Sequence, residues 1–229
     1  MIKLLLIEDD VNLGYILKSS LEEIIGNYEV KTAENGQEGL ALWETFQPDI
    51  IVSDIEMPVL NGVEMVKQIR WKDTNIPIIF ATNKTTTKDV MVGYEAGVDN
   101  YVKKPFLPEE LDAHIQALIR LKSNVCLSSK KQAHPIGKYL FDPKRQLLIY
   151  NSVEHTLSPR ESAILEVLFE HKQEIVKRDE ILTRFWGSNN FYSSRSLDVF
   201  ITKMRKYLSK DPSVTIKNLK GVGLILNFE

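Results

Sequence analysis

Ile50-Ile51-Val52-Ser53-Asp54-Ile55-Glu56-Met57-Pro58 is the stretch on which the reading of the fold turns. Ile50 to Ser53 is a short run rich in β-branched side chains, and Pro58 with Asn61-Gly62 demands a turn soon afterwards. The run reads as a buried strand with Asp54 pushed out at its carboxyl end. Open parallel α/β sheets place their ligands at that end of their strands.

Working outward, apolar strand-like runs recur at 2–7, 28–32, 49–53, 76–81 and 98–102. Helical spacing lies between and after them, as in Val63, Val66, Ile69 and Leu111, Ile115, Leu118. This alternation predicts a parallel sheet with helices on both faces. The strand carboxyl ends then present Glu8-Asp9-Asp10, Asp54, Thr82-Asn83 and Lys103-Lys104-Pro105.

Asp10 reads as the cap of a helix beginning near Val11, whereas Glu8 and Asp9 follow the strand directly and face the site. Carboxylates gathered there raise one another's pKa, and a divalent cation relieves the repulsion. Mg²⁺ suits an incomplete acidic cup, because it takes a few carboxylates and fills its remaining positions with water and phosphate oxygens. Adding a lysine and a hydroxyl completes the parts of a phosphoryl-transfer site: nucleophilic carboxylate, metal, cation and hydrogen-bond donor. Asp54 would take the phosphoryl group. Glu56, two residues after Asp54, and Lys84, two after Thr82, are spaced to pair across the mouth of that site and hinder an attacking water.

The chain has 229 residues, enough for two cores. Its charge is divided: residues 1–122 carry 12 Lys and Arg against 20 Asp and Glu, and residues 123–229 carry 17 against 11. An acidic half joined to a basic half implies different partners, the second a polyanion. The boundary falls in Ser123 to Pro135, where helical periodicity stops and Ser and Lys collect, which divides the chain into 1–122, a linker at 123–135, and 136–229. The lone Cys126 offers neither an internal disulfide nor a zinc cluster. No apolar run approaches the ~20 residues that cross a bilayer, so the chain reads as cytoplasmic, with no membrane contact.

In the second half, residues 137–142 and 146–151 alternate around Pro143-Lys144-Arg145, and a short strand follows near Glu154 to Leu157. Ser158-Pro159-Arg160-Glu161 starts a helix with a capping box and Pro at the first helical position. A shorter helix spans about 178–185. The helix at 194–208 turns Leu197, Ile201, Met204 and Leu208 inward and Arg195, Val199, Thr202, Arg205 and Lys206 outward. Thr215 to Leu219, Lys220-Gly221-Val222-Gly223 and Leu224 to Leu226 form a closing hairpin.

Residues 1–122 resemble the receiver domain of a two-component response regulator, on Glu8-Asp9, Asp54 with Met57-Pro58 and Asn61-Gly62, Thr82, Tyr101 and Lys104-Pro105-Phe106. Residues 136–229 resemble the winged helix-turn-helix effector domain of OmpR/PhoB-type regulators, on the Ser-Pro-x-Glu helix start, the Arg-Ser-x-Asp-Val run and the Lys-Gly-x-Gly wing. The first resemblance implies a flavodoxin-like five-stranded receiver in which a sensor histidine kinase phosphorylates Asp54. Mg²⁺ would be held by the acid pair Glu8 and Asp9, by Asp54 and by the carbonyl of Glu56. It also implies a cis Lys104-Pro105 bond, Thr82 and Tyr101 as switch residues, and a readout surface at about residues 86–121. The second implies that Arg195, Val199, Thr202, Lys203 and Arg205 enter double-stranded promoter DNA, with Lys220 in the wing. RNA polymerase is a further expected partner, and phosphorylation is expected to form a homodimer.

Three departures from the resemblance stand out. Asn83 follows the threonine where a small residue is usual, and Val90 and His114 stand where the dimer face is commonly basic, although Asp99 and Arg120 are kept. In the effector half, Thr202 replaces a frequent arginine and Leu224 a usual tyrosine. The resulting expectation is a regulator and not an enzyme. The rivals are a phosphatase or phosphotransferase turning over at Asp54, for which no second acid is placed as general base, and an interaction module whose winged helix binds protein.

Overall fold

The computed structural model describes residues 1–84, 86–124, 133–187 and 191–228, excepting the side chains of residues 87, 122–124, 191 and 192. It divides into two compact units, Met1–Ile119 and Arg120–Glu229. Cys126 and most of the segment read as a linker lie outside the described residues.

The first unit is a five-stranded parallel sheet in the order β2-β1-β3-β4-β5, with strands β1 (Ile2–Ile7), β2 (Tyr28–Ala33), β3 (Ile50–Ser53), β4 (Ile78–Thr82) and β5 (Asn100–Lys103). Helices α1 (Val11–Ser19), α2 (Gly36–Phe46), α3 (Gly62–Lys72), α4 (Thr87–Ala96) and α5 (Pro108–Asn124) alternate with the strands. Every residue of β3 and β4 is buried, which is why both read as continuous apolar runs without alternation.

Short polar side chains start the helices. Asp10 Oδ1 accepts from the N–H groups of Asn12 and Leu13, Asn35 Oδ1 from those of Gln37 and Glu38, and Asn61 Oδ1 from that of Glu64. Asp10 is therefore the cap that the spacing suggests. Gly62 opens α3 because a Cβ there would sit 2.1 Å from the Asp54 carbonyl oxygen. That close approach fixes the turn behind Asp54.

Two strands start later than the apolar runs do. Ile76 is held in a turn by the Asp73 carboxylate, and Val98 N–H is still bonded to Gly93 O at the end of α4, so β4 and β5 begin at residues 78 and 100. The periodicity also hides a π-helical turn, Ser20–Ile25, that continues α1.

The second unit opens with a four-stranded antiparallel sheet, β6 (His134–Ile136), β7 (Tyr139–Asp142), β8 (Leu147–Tyr150) and β9 (Val153–Thr156). Helices α6 (Pro159–Glu170), α7 (Arg178–Trp186) and α8 (Phe191–Tyr207) follow, with the two-residue strand β10 (Val176–Lys177) between α6 and α7. The hairpin of β11 (Thr215–Leu219) and β12 (Gly223–Asn227) joins β10 in a three-stranded sheet. Ser158 and Glu161 form the expected capping box on α6. Strands β6 and β10 are too short to show a period, and α8 begins before its amphipathic pattern does.

Candidate functional site

In the sheet order, β1, β3, β4 and β5 are consecutive neighbours, so the loops that follow them open side by side. The sequence places Glu8 and Asp9, Asp54, Thr82 and Lys104 on those loops, and the sheet brings four of the five into direct polar proximity. Lys104 Nζ lies 2.7 and 2.6 Å from the two Glu8 carboxylate oxygens and 2.7 Å from Asp54 Oδ2. Glu8, Asp9 and Asp54 each offer a carboxylate oxygen within 4.8 Å of the others. Glu8 is 5% exposed and Asp54 8%. Asp9 is exposed. The Lys104-Pro105 peptide is cis.

The backbone finishes the setting of Asp54. Its Oδ1 accepts from Ile55 N–H at 2.5 Å and Glu56 N–H at 3.3 Å, and Ser53 Oγ donates to its carbonyl oxygen at 2.7 Å. Oδ1 is thus aimed by the main chain and Oδ2 by the lysine. Burial pushes the Glu8 carboxyl above the ordinary carboxylate range even though Lys104 pulls the other way. Burial alone would push the Lys104 ammonium down, yet bonds and charges from Asp54 and Glu8 outweigh it and hold the ammonium above an ordinary lysine. The carboxylates here outnumber the cation, and such a donor set fits a divalent cation whose remaining positions are filled by water and phosphate oxygens. Glu8, Asp9 and Asp54 each bring a carboxylate oxygen to that cluster, with both Glu8 oxygens bonded to Lys104.

Thr82 is 1% exposed, and its Oγ1 accepts from Lys84 N–H at 3.2 Å. Tyr101 is buried, with its ring edge-on to Phe80 and its hydroxyl donating to the Lys84 carbonyl oxygen. Lys84 therefore holds both switch candidates through its own peptide groups. Its ammonium reaches Glu56 at 2.9 Å, the pairing that the spacing of the two residues suggests, and the hydrogen bond it donates to the Glu56 carboxylate raises its pKa. Asn83 is exposed.

The face formed by α4, β5 and α5 differs from the sequence reading. Val90, read as a surface position that had lost its charge, is fully buried. Asp99 is 2% exposed, pairs with Arg70 at 2.9 Å and accepts from Ile78 N–H. It is spent within the chain. Asn100 Oδ1 accepts from Tyr101 N–H, which turns its amide nitrogen toward His114 Nδ1 at 2.8 Å.

On α8, Leu197, Phe200, Ile201 and Met204 are buried, as is Leu208 in the 3-10 turn that follows, and Arg195, Thr202, Arg205 and Lys206 are exposed. Lys203 is half-buried with its ammonium over the Phe200 ring, and Lys220 at the wing tip is exposed. Val199 corrects the expected facing, being only 8% exposed. Its neighbours one turn away on the same face, Arg195 and Lys203, are long enough to cover a short branched side chain. Two further candidates carry internal duties. Arg205 Nε donates to Ile216 O at 2.9 Å, tying the helix to the hairpin, and Thr202 Oγ1 donates back to Asp198 O.

Sequence reasoning missed Arg178. Its guanidinium donates to Ser194 O, Ser194 Oγ and Asp198 Oδ1 at 2.6–3.0 Å, seating α8 against the start of α7. No periodicity signals a pair 20 residues apart; only the acid of the Arg-Ser-x-Asp-Val run hinted at a partner.

Comparison with known proteins bears on both units. The family described as response regulator receiver domain matches residues 4–116, and that described as transcriptional regulatory protein, C terminal, matches residues 152–226. The chain is 35% identical over 222 residues to the transcriptional regulatory protein RprY of Bacteroides fragilis, covering 97% of this chain and 93% of that protein. It is 30% identical to the alkaline phosphatase synthesis transcriptional regulatory protein PhoP of Bacillus subtilis, covering 96% and 95%. The crystal structure of the response regulator DrrB, a Thermotoga maritima OmpR/PhoB homologue, is 28% identical and superposes with a TM-score of 0.51 over 99% of both chains.

Proposed function

Starting from the fact that this chain belongs to the OmpR/PhoB-type response regulators of two-component systems, a receiver joined to a DNA-binding transcriptional regulatory domain, we propose that Asp54 is its phosphoacceptor. The observation that carries this reading is Lys104 Nζ joining Glu8 and Asp54 at 2.6–2.7 Å beside Asp9. Asp54 Oδ2 attacks the phosphorus of a phosphohistidine on a sensor kinase or of a small phosphodonor. The bond from phosphorus to the donor breaks, and the leaving group takes the electron pair. Lys104 is placed to follow the transferred oxygens, exchanging a carboxylate partner for a phosphoryl one. Asp9, Asp54 and the Glu56 carbonyl would hold Mg²⁺, which when bound supplies positive charge to the equatorial oxygens of the transferring group.

Switching is a population shift. Thr82 Oγ1, now accepting from Lys84 N–H, gains a better partner in a phosphoryl oxygen, and any arrangement in which that bond forms becomes dominant. Tyr101 is tied to the same residue and follows it. The output is a homodimer on two DNA half-sites, whose linkage raises affinity through effective concentration. Because Asp99 is closed off by Arg70, that dimer draws on contacts other than an Asp99 ion pair.

In the second unit α8 enters a major groove and Lys220 an adjacent minor groove, with Arg195, Lys203 and Arg205 nearest the backbone phosphates. Recruitment of RNA polymerase and a cytoplasmic setting belong to the same proposal. Among the described residues no helix is long and apolar enough to cross a membrane.

The test is mass analysis of the intact chain after treatment with a small phosphodonor and magnesium, joined to DNA selection with and without donor. The proposal expects one phosphoryl group on the wild type and none on Asp54→Ala, with tighter DNA retention only where the group is present. A phosphoryl group retained by Asp54→Ala would refute it.

A further inference from the structure

We propose that Ser53 is a positioning residue for phosphorylation: its hydroxyl clamps the Asp54–Ile55 peptide and thereby fixes which oxygen of Asp54 meets the phosphorus; this rests on the reading of Asp54 as phosphoacceptor. Ser53 closes the run Ile50-Ile51-Val52-Ser53, whose other members are aliphatic, and it is fully buried. It lies in the sheet interior between Ile7 of β1 and Phe80 of β4. A hydroxyl buried there costs free energy unless it is bonded. Its partner is the carbonyl oxygen of Asp54, at 2.7 Å.

That carbonyl belongs to the peptide that leaves the strand. A peptide unit is planar, so the Asp54 C=O and the Ile55 N–H turn together and point in opposite directions. The Ser53 hydroxyl holds the carbonyl, and on the other side the Ile55 N–H donates to Asp54 Oδ1 at 2.5 Å. The neighbouring main chain is fixed as well: Asp54 N–H donates to Ile7 O and Gly62 N–H to Ile55 O. Gly62 crowds the same carbonyl so closely that a Cβ there would sit 2.1 Å from its oxygen. Ser53 therefore sets the peptide plane from inside the sheet.

The consequence falls on the carboxylate. Oδ1 is taken by the Ile55 N–H, and at the longer distance of 3.3 Å by that of Glu56, so Oδ2 is the oxygen left for Lys104 at 2.7 Å and for an incoming phosphorus. If the peptide rolls, Oδ1 loses its short bond and the carboxylate is free to turn about its Cβ–Cγ bond. Fewer molecules then hold Oδ2 in line for attack, and the rate depends steeply on that alignment. Losing one neutral hydrogen bond shifts such a population by roughly two- to tenfold, which sets the size of the rate loss.

The experiment compares the full-length wild type with Ser53→Ala, Ser53→Cys and Ser53→Thr. Phosphorylation by phosphoramidate with magnesium is followed by intact mass across donor concentrations, thermal melts report folding, and the Ile55 amide is followed by NMR in isotope-labelled, unphosphorylated protein. Ser53→Ala is expected to gain the phosphoryl group roughly two- to tenfold more slowly at saturating donor, with the half-saturating donor concentration little changed. Its Ile55 amide proton should move upfield as the bond to Oδ1 lengthens. Ser53→Thr keeps the hydroxyl and should recover the wild-type rate and amide position. Ser53→Cys, a weak donor of similar size, should follow the alanine variant and replaces it if alanine melts early. Wild-type rates in both Ser53→Ala and Ser53→Cys, a slower rate with an unmoved Ile55 amide, or a folded Ser53→Thr as slow as alanine would overturn the clamp and leave the phosphoacceptor in place. A wild type that takes no phosphoryl group from the donor would overturn the premise and the clamp together.

Discussion

The charged groups of the phosphoacceptor site and those of the proposed DNA face are held in opposite ways. Glu8, Asp54 and Thr82 are 5%, 8% and 1% exposed and make their bonds to Lys104 or to nearby main chain, while Arg195 keeps 47% of its side chain in solvent and Lys220 stands at a hairpin tip. Chemistry at a phosphoryl group requires partners aimed before the reaction begins, which means buried charge and its desolvation cost. Binding a polyanion requires only cations within reach, because much of the free energy comes from released counterions. Replacing a charge in the first region should therefore alter stability, and replacing one in the second should alter binding alone.

The largest effect of removing a buried charge is expected for Arg70→Ala, at the end of the sheet opposite Asp54. Arg70 is the cation paired with buried Asp99, with side chains 13% and 3% exposed, and it also donates to the Gly97 and Asp73 carbonyls. Removing it strands a carboxylate in the core, at a cost of about 3–5 kcal/mol. Denaturant unfolding of the full chain should show the receiver transition at much lower concentration. An unchanged midpoint would mean that Asp99 is not held as the contrast requires.

Arg178→Ala is next in size and probes the second unit's scaffold. Its charged hydrogen bonds to Ser194 and Asp198 are partly exposed, at 22% and 45%, so the loss should be about 1–2 kcal/mol. A cost equal to that of Arg70→Ala would erase the distinction between buried and half-exposed pairs.

Much of this was readable in the sequence, and the residues show why. Strands β1, β3 and β4 are nearly continuous in apolar residues, and the punctuation at Asp10, Asn35 and Asn61 sits where the caps are. Four strand-end motifs could be assigned to one site because a parallel sheet leaves them nowhere else to go. Pairings set by tertiary approach alone were not readable. Asp99 with Arg70 and Arg178 with Asp198 lie far apart in the chain with no period linking them. Val90 and Val199 show a further limit: the resemblance placed Val90, and helical position Val199, on an outer face, yet both are buried.

Glu8→Gln carries the contrast into pH. Burial keeps the proton on folded Glu8 to a higher pH than on the unfolded chain. Between those two pKa values folding takes up a proton, so stability falls as pH rises. The glutamine variant, which carries no charge to desolvate, should be the more stable protein at neutral pH while Asp54 still holds Lys104. Its advantage should shrink as pH falls toward the ordinary carboxylate range. Melting curves across that interval would test the sign. A variant less stable than wild type throughout would show that the Lys104 bond outweighs burial.

The smallest expected effect is Lys220→Ala, and it tests the second region most directly. Lys220 is exposed at the turn between β11 and β12, beside Gly221 at φ +75°, and its removal touches no core. Melting temperature should not move. If its ammonium lies near a phosphate, affinity should fall by a similar factor on the specific site and on unrelated DNA, and the slope of log affinity against log salt should flatten by about 1. Loss confined to the specific site, with the slope unchanged, would make Lys220 a reader of minor-groove base edges. The exposed region would then carry sequence information through a positioned charge, and the contrast with the buried site would hold for stability but not for specificity.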